Sequence, residues 1–140
     1  MNRRKFIASS CNLCVAAGAG LMINSLSSCS PLNNYQATIV ENTITVPLAL
    51  FDKSATHIIN PVNYRYNIML KKESEGNFKA LLLKCTHAEN PVNISGNGFD
   101  CYLHGSKFDN QGNVLKGPAS SPLKILNTQL VADQIIITLI

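Results

Sequence analysis

The chain has 140 residues and a formal net charge of +4, which limits it to one domain or less. Three of the twelve basic residues and none of the eight acidic residues lie before Cys29, so the remainder carries nine positive and eight negative side chains. Those nine are scattered, and the composition therefore argues against a nucleic-acid-binding surface. The remainder, about 110 residues rich in Val, Ile, Leu and Thr, is long enough for one modest core.

The first 29 residues have the layout of an export signal. Positive charge at Arg3-Arg4-Lys5 precedes a weakly apolar run over residues 8–23. The paired arginines resemble a twin-arginine signal, a route that exports proteins already folded. Leu26-Ser27-Ser28-Cys29 resembles a lipobox, in which the cysteine becomes lipid-modified. We therefore expect residues 1–29 to be a signal segment with Cys29 lipidated, and the protein to be anchored on the periplasmic side of the bacterial cell envelope.

Two other interpretations of this segment stay open. The apolar run could be a transmembrane helix, although it is short for a bilayer and is interrupted by Ser, Asn and Gly. The segment could also be cleaved without lipid attachment. Cys11 and Cys14 form a CxxC, but inside an apolar, removed segment we interpret them as small apolar side chains. Residues 30–36 are predicted to be a tether, followed by one domain at residues 37–140.

The rest of the chain consists of short β-type runs separated by turn residues. The predicted strands cover residues 43–46, 64–70, 78–83, 113–116, 123–126 and 134–140, with a hairpin across residues 73–77. No stretch shows a sustained 3.6-residue apolar period. This pattern predicts an all-β antiparallel sandwich or barrel. The apolar run at residues 135–140 predicts a central strand, because an edge strand of that composition would aggregate.

Four cysteine and histidine residues fall into two compact pairs. Cys85-Thr86-His87 is a CxH, and Cys101-Tyr102-Leu103-His104 is a CxxH thirteen residues further on. Thiolate and imidazole together bind iron–sulfur clusters, and they also bind tetrahedral zinc. A Cys85–Cys101 disulfide and a degenerate domain without metal are further alternatives. His57 has no partner motif and is interpreted as a surface or structural histidine.

The second pair continues into a more specific pattern. Residues 101–109 read CxxHGSxFD, and Gly117-Pro118-Ala119 follows with Pro122 shortly after. Together with Lys84-Cys85-Thr86-His87, these motifs resemble the two cluster loops and the proline-containing loop of the Rieske [2Fe–2S] family. The resemblance covers about residues 80–126, and either pair alone would be a weak signal.

The resemblance implies a Rieske fold, an antiparallel β-sandwich or barrel with a small cluster-binding subdomain of two loops. It implies one [2Fe–2S] cluster per chain. Cys85 and Cys101 would bind the buried iron, and His87 and His104 would bind the iron nearer to solvent.

Gly105 and Ser106 also match the family pattern. Gly105 would allow a tight turn with backbone amides near sulfide, and Ser106 would donate a hydrogen bond to a bridging sulfide. The quinol-oxidising members carry two further cysteines at the positions of Asn90 and Leu103, and a tyrosine at that of Phe108. These departures imply a reduction potential within the ~ −150 to +300 mV Rieske range but below its top.

The implied function is one-electron transfer, as a carrier or as the small subunit of an oxidoreductase similar to that of arsenite oxidase. The chain would be an electron-transfer component rather than a catalyst alone. Expected partners are the membrane and a redox protein, which could be a cytochrome, a molybdenum enzyme subunit or a quinol oxidoreductase. The alternatives are a quinol-oxidising subunit of a cytochrome bc-like complex and a clusterless structural or binding lipoprotein.

Overall fold

The computed structural model describes residues 33–139. The signal segment, the CxxC of Cys11 and Cys14 and the lipobox cysteine Cys29 lie outside these residues and stay predictions. Within residues 33–139, no helix is both long and apolar enough to cross a membrane.

The described residues form twelve strands and one short 3-10 turn. The turn is Leu48–Asp52. The strands are β1 (Asn34–Ala37), β2 (Ile39–Val40), β3 (Thr43–Pro47), β4 (Thr56–Pro61), β5 (Ile68–Ser74), β6 (Asn77–Leu82), β7 (Asn93–Ser95), β8 (Gly98–Asp100), β9 (Lys107–Asp109), β10 (Val114–Lys116), β11 (Ile125–Val131) and β12 (Gln134–Thr138). This content confirms the predicted all-β class.

Eight strands form one sheet in the order β1-β4-β5-β6-β11-β12-β3-β2. The pairs are antiparallel except for β1 with β4, which run parallel. The strands at the two ends of this order, β1 and β2, are consecutive in the chain with only Thr38 between them. The sheet therefore curls back on itself as a barrel.

Alternating side chains explain the core of this barrel. In β3, Ile44 and Val46 are fully buried while Thr45 between them faces solvent. Strand β12 lies between β11 and β3 and buries Ile135 and Ile137 completely, which confirms the predicted central strand. Each such burial contributes about 1.5–3 kcal/mol relative to an exposed side chain.

Residues 93–116 contain the four strands of a second sheet, in the order β10-β9-β8-β7. Its Phe99 and Phe108 belong to one buried cluster with Leu81 and Leu83, which lie in and just after the barrel strand β6. Cys85 and Cys101 belong to the same cluster. A continuous apolar core thus supports both cysteines from the barrel side.

Two predicted strands begin two or more residues later in the structure, and the strand predicted at residues 134–140 ends at Thr138, while the bounds of the other three predicted strands agree to within one residue. The strand predicted at residues 64–70 begins only at Ile68, because Tyr64 and Tyr66 pack edge-to-face in the preceding loop. The strand predicted at residues 123–126 begins at Ile125 and runs to Val131, since it forms a hairpin with β12. The hairpin predicted across residues 73–77 is present between β5 and β6.

The start of the domain also differs from the prediction. The expected tether at residues 30–36 overlaps strand β1, in which Asn34, Tyr35 and Gln36 pair with β4. Tyr35 packs against the barrel core. The folded domain therefore includes Asn34, three residues before the predicted boundary at 37.

Candidate metal centre

The first cysteine–histidine pair lies in a loop directly after β6, and we call residues 84–91 the first loop. An isolated bridge between Lys84 and Pro91 closes it. The Cys85 carbonyl accepts a hydrogen bond from the Glu89 N–H at 2.9 Å, and the Cys85 N–H donates to the Asn90 carbonyl at 2.7 Å. The loop is therefore a compact turn folded around Cys85.

The second pair lies between β8 and β9, and residues 101–106 are the second loop. The Cys101 carbonyl accepts from the Gly105 N–H at 2.9 Å, and the Cys101 N–H donates to the Ser106 carbonyl at 2.8 Å. Gly105 has a φ of +79°, a left-handed conformation that glycine adopts without strain. The two loops thus close on their cysteines with the same pattern of bonds, to the residues four and five positions later.

A third segment, the proline loop of residues 117–122, touches both other loops. The backbone N–H of Ala119 donates to the Ser106 hydroxyl oxygen at 3.0 Å, and the Thr86 hydroxyl donates to the Ser121 carbonyl at 2.6 Å. The bond from Ala119 therefore reaches the second loop, and the bond to Ser121 reaches the first loop. The proline loop holds the two loops against each other.

The four predicted donors come together as a buried sulfur pair and an exposed nitrogen pair. Cys85 and Cys101 are each 1% exposed, are free thiols, and belong to the same buried cluster. His87 and His104 are exposed, and their rings meet edge-to-face with centroids 4.9 Å apart. Within residues 33–139, no group of three or more His, Cys, Asp or Glu side chains surrounds a single ion position.

The surroundings of Cys85 favour its thiolate form. Burial of the thiol raises its pKa, but hydrogen bonds to the sulfur outweigh burial, and the pKa of Cys85 lies below its usual value. The donors are the backbone N–H of His87, the Cys101 thiol, the backbone N–H of Ala88 and the Ser106 hydroxyl. Because the thiolate is the form that binds metal, this loop is arranged for a metal ligand.

Other residues singled out from the sequence are Ser106, Phe108, His57 and Cys29. Ser106 is fully buried beside Cys85, and Phe108 is 1% exposed in the core beneath the loops. His57 lies apart from the site on β4, buried against Phe51 and within 3.3 Å of the Ser54 carbonyl, as a structural histidine. Cys29, the predicted lipid attachment point, lies outside the described residues.

Sequence reasoning missed Tyr66 and Glu89. The Tyr66 hydroxyl donates to the Glu89 carbonyl at 2.7 Å, which ties the first loop to the segment before β5. Glu89 has a φ of +54°. The contact between Tyr66 and Glu89 has no local sequence signal, because the two residues lie 23 positions apart.

Comparison with known proteins gives the family to which the chain belongs. The profile of the Rieske [2Fe-2S] domain matches residues 45–127, which is more than half of the chain. The chain therefore belongs to the Rieske [2Fe-2S] domain family. Membership implies a [2Fe–2S] cluster.

Individual relatives agree with this membership. A cytochrome b6-f complex iron-sulfur subunit 2 of Trichormus variabilis is 45% identical over 53 residues, covering 38% of this chain and 28% of that protein. Subunit 1 of Synechocystis is 34% identical over 73 residues, covering 51% of this chain and 41% of that protein. The chain thus spans less than half the length of either relative.

Among solved structures, the plasma membrane Rieske protein PetC3 of Synechocystis is 26% identical with a TM-score of 0.49. The match covers 66% of this chain and 94% of that one.

Proposed function

We propose that Cys85 and Cys101 bind one iron of the cluster and that His87 and His104 bind the other. The observation that carries this assignment is the segregation of the four donors, with two adjacent buried sulfurs and two adjacent exposed imidazoles. This is the donor set of a Rieske centre, with two thiolates on one iron and two imidazoles on the other. When bound, the cluster supplies reversible one-electron transfer.

The chain's own residues shape this site in two ways. The apolar core around Leu83, Phe99 and Phe108 excludes water from the sulfur side. Backbone N–H groups and the Ser106 hydroxyl donate to the Cys85 sulfur, and such donors stabilise added negative charge and raise the potential. The exposed edges of His87 and His104 leave the other side open, so a redox partner would approach there.

Metal and sulfide content test this assignment. The holoprotein, made in a host that assembles clusters in its cytosol, should contain two irons and two acid-labile sulfides per chain. Cys85→Ser and Cys101→Ser should each abolish both, whereas His57→Ala should keep them, since His57 lies outside the site. One zinc per chain without sulfide would contradict the proposal.

The proposal includes a place in the cell, which rests on sequence motifs alone. The twin-arginine motif at Arg3 and Arg4 would export the folded chain, and lipid on Cys29 would anchor it on the periplasmic side. Cys29→Ser should release the protein from the membrane fraction after export, and replacing both arginines by lysine should keep it in the cytosol. Membrane retention of Cys29→Ser that resists salt washing would contradict the lipid anchor.

The protein would pass electrons as a carrier or as the small subunit of an oxidoreductase. A second candidate is the quinol-oxidising subunit of a cytochrome bc-like complex. The similarity to cytochrome b6-f iron-sulfur subunits favours this second candidate, whereas Asn90 and Leu103 in place of the loop cysteines favour the first. Affinity purification from detergent-solubilised membranes distinguishes them, because a b-type cytochrome would co-purify in the second case and a molybdenum enzyme or soluble cytochrome in the first.

A further inference from the structure

Resting on the proposed cluster site, we propose that Tyr66 is a positioning residue for the first loop, because its hydroxyl holds the strained turn at Glu89. Tyr66 lies in the segment before β5, outside both cluster loops and the proline loop. The argument comes from comparing the two cluster loops of this chain.

The two loops need the same left-handed residue at the same place. Glu89 and Gly105 each stand four positions after a cysteine, each donates its N–H to that cysteine's carbonyl, and each has positive φ. Gly105 adopts φ +79° freely because it has no Cβ. Glu89, at φ +54°, adopts a conformation that is strained for a residue with a side chain. The first loop therefore needs a restraint that the second loop does not need.

Contacts to Glu89 supply that restraint. Its carbonyl accepts a hydrogen bond from the Tyr66 hydroxyl at 2.7 Å, and its carboxylate pairs with the Lys84 ammonium at 2.7 Å. Glu89 is largely exposed, so the ion pair alone is a weak restraint in water. The hydrogen bond to the carbonyl acts on the backbone itself and directly opposes rotation of the turn.

Tyr66 is itself held in place. Its ring meets Tyr64 edge-to-face at 5.6 Å, and the charged groups of Arg65 and Lys84 lie 5.7 and 5.5 Å from its centroid. Arg65 also donates to the Asn90 side-chain oxygen at 3.3 Å. The segment before β5 thus donates hydrogen bonds to two successive residues of the first loop, Glu89 and Asn90.

The turn at Glu89 affects the cluster site through Cys85. The backbone N–H groups of His87 and Ala88 favour the thiolate form of Cys85, and they lie between Cys85 and Glu89 in the loop. If the turn relaxes, these donors move away from the sulfur, and the loop that carries His87 loosens. Fewer donors to cluster sulfur lower the reduction potential, and a looser loop releases the cluster faster.

The test compares Tyr66→Phe with Tyr64→Phe in the holoprotein. Tyr66→Phe removes the hydroxyl and keeps the ring. Tyr64→Phe removes a neighbouring hydroxyl for which the structure shows no hydrogen bond within the described residues. Tyr66→Phe should lose its cluster to a chelator about fivefold faster than wild type, the factor for one lost hydrogen bond. It should also have a lower midpoint potential and altered EPR g-values, while Tyr64→Phe should match wild type.

Tyr66→Phe made in a Glu89→Gly variant tests whether backbone strain at position 89 explains the role of Tyr66. Glu89→Gly permits the left-handed turn without restraint, so adding Tyr66→Phe there should change the potential and the rate of cluster loss much less. The inference is overturned if Tyr66→Phe has the same effect with Glu or with Gly at position 89. It is also overturned if Tyr66→Phe and Tyr64→Phe have the same effect. Either result leaves the proposed function standing. A wild-type chain without a Rieske EPR signal would overturn both.

Discussion

The hydroxyl oxygen of Ser106 accepts a hydrogen bond from the backbone N–H of Ala119 at 3.0 Å, and both residues are buried. Its hydroxyl is also one of the groups that lower the pKa of the Cys85 thiol. Ser106 therefore links the second loop to the proline loop and also acts on the first cysteine.

Replacing Ser106 by Ala should weaken both the fold and the site. The buried N–H of Ala119 would lose its acceptor, which costs about 1–3 kcal/mol of unfolding free energy. The Cys85 sulfur would lose a donor, and the potential should fall. Denaturant unfolding and redox titration measure the two effects. Ser120→Ala, an exposed change in the same loop, is the control, and equal behaviour of the two variants would contradict this role of Ser106.

Replacing Thr86 by Val should loosen the contact between the first loop and the proline loop. The change keeps the shape of the side chain and removes the hydrogen bond to the Ser121 carbonyl at 2.6 Å. Because Thr86 is exposed, we expect a loss of about 0.5–1.5 kcal/mol in unfolding free energy. Thr86→Ser keeps the hydroxyl and should stay within a few tenths of a kcal/mol of wild type. If Ser and Val destabilise equally, the hydroxyl contributes nothing.

Replacing Gly98 by Ala should disrupt the second sheet. A Cβ at this position would overlap the carbonyl oxygen of Phe108 on the neighbouring strand β9, and backbone cannot move aside without breaking the β8–β9 pairing. We expect destabilisation at or above the upper end of ~1–3 kcal/mol and poor cluster retention. Gly117→Ala is the control, because its nearest neighbours there lie at 3.8 Å or beyond. Thermal unfolding and visible absorbance report both quantities.

Asp109 should make stability depend on acid pH. The Asn113 side chain donates to its carboxylate at 2.9 Å, and the backbone N–H groups of Asn113 and Gln111 donate at 2.8 Å, so the pKa of Asp109 lies below its usual value. A carboxyl with a lowered folded-state pKa contributes stability above its unfolded pKa of about 3.9. That contribution is lost as the pH falls through the lower, folded pKa.

Circular dichroism of thermal unfolding between about pH 2 and pH 6 tests this dependence. The unfolding temperature of wild type should fall more steeply with acid than that of Asp109→Asn. Asp52→Asn, which changes an exposed carboxyl elsewhere, is the control for the loss of one negative charge. Parallel curves for wild type and Asp109→Asn would contradict the role of this turn.

The barrel could be predicted where burial alternates along the strand, as in β3 and β12. Strand β4 could not, because it buries His57, Ile58 and Ile59 in succession and ends in Asn-Pro. Strands β7, β8 and β9 have three residues each, too few for a period to show. Tyr64 and Tyr66 fit a strand pattern by sequence, but their rings pack edge-to-face and the Tyr66 hydroxyl bonds to the first loop, which keeps both residues outside β5.

The candidate site was easier to predict than the fold because its donors lie close together in sequence. Cys85 and His87 are two positions apart, and Cys101 and His104 three. The contacts that hold the loops together were missed because they join distant segments. The contact from Thr86 to Ser121 spans 35 positions, for example.

The most direct test of the central claim is the EPR spectrum of the dithionite-reduced holoprotein and of its His87→Ala and His104→Ala variants. The proposed ligand set predicts a rhombic signal of the Rieske type in wild type, and loss of that signal in each variant. His57→Ala should keep the wild-type spectrum. A colourless wild-type protein without signal, or a Rieske signal that survives in either ligand variant, would contradict the assignment of Cys85, His87, Cys101 and His104.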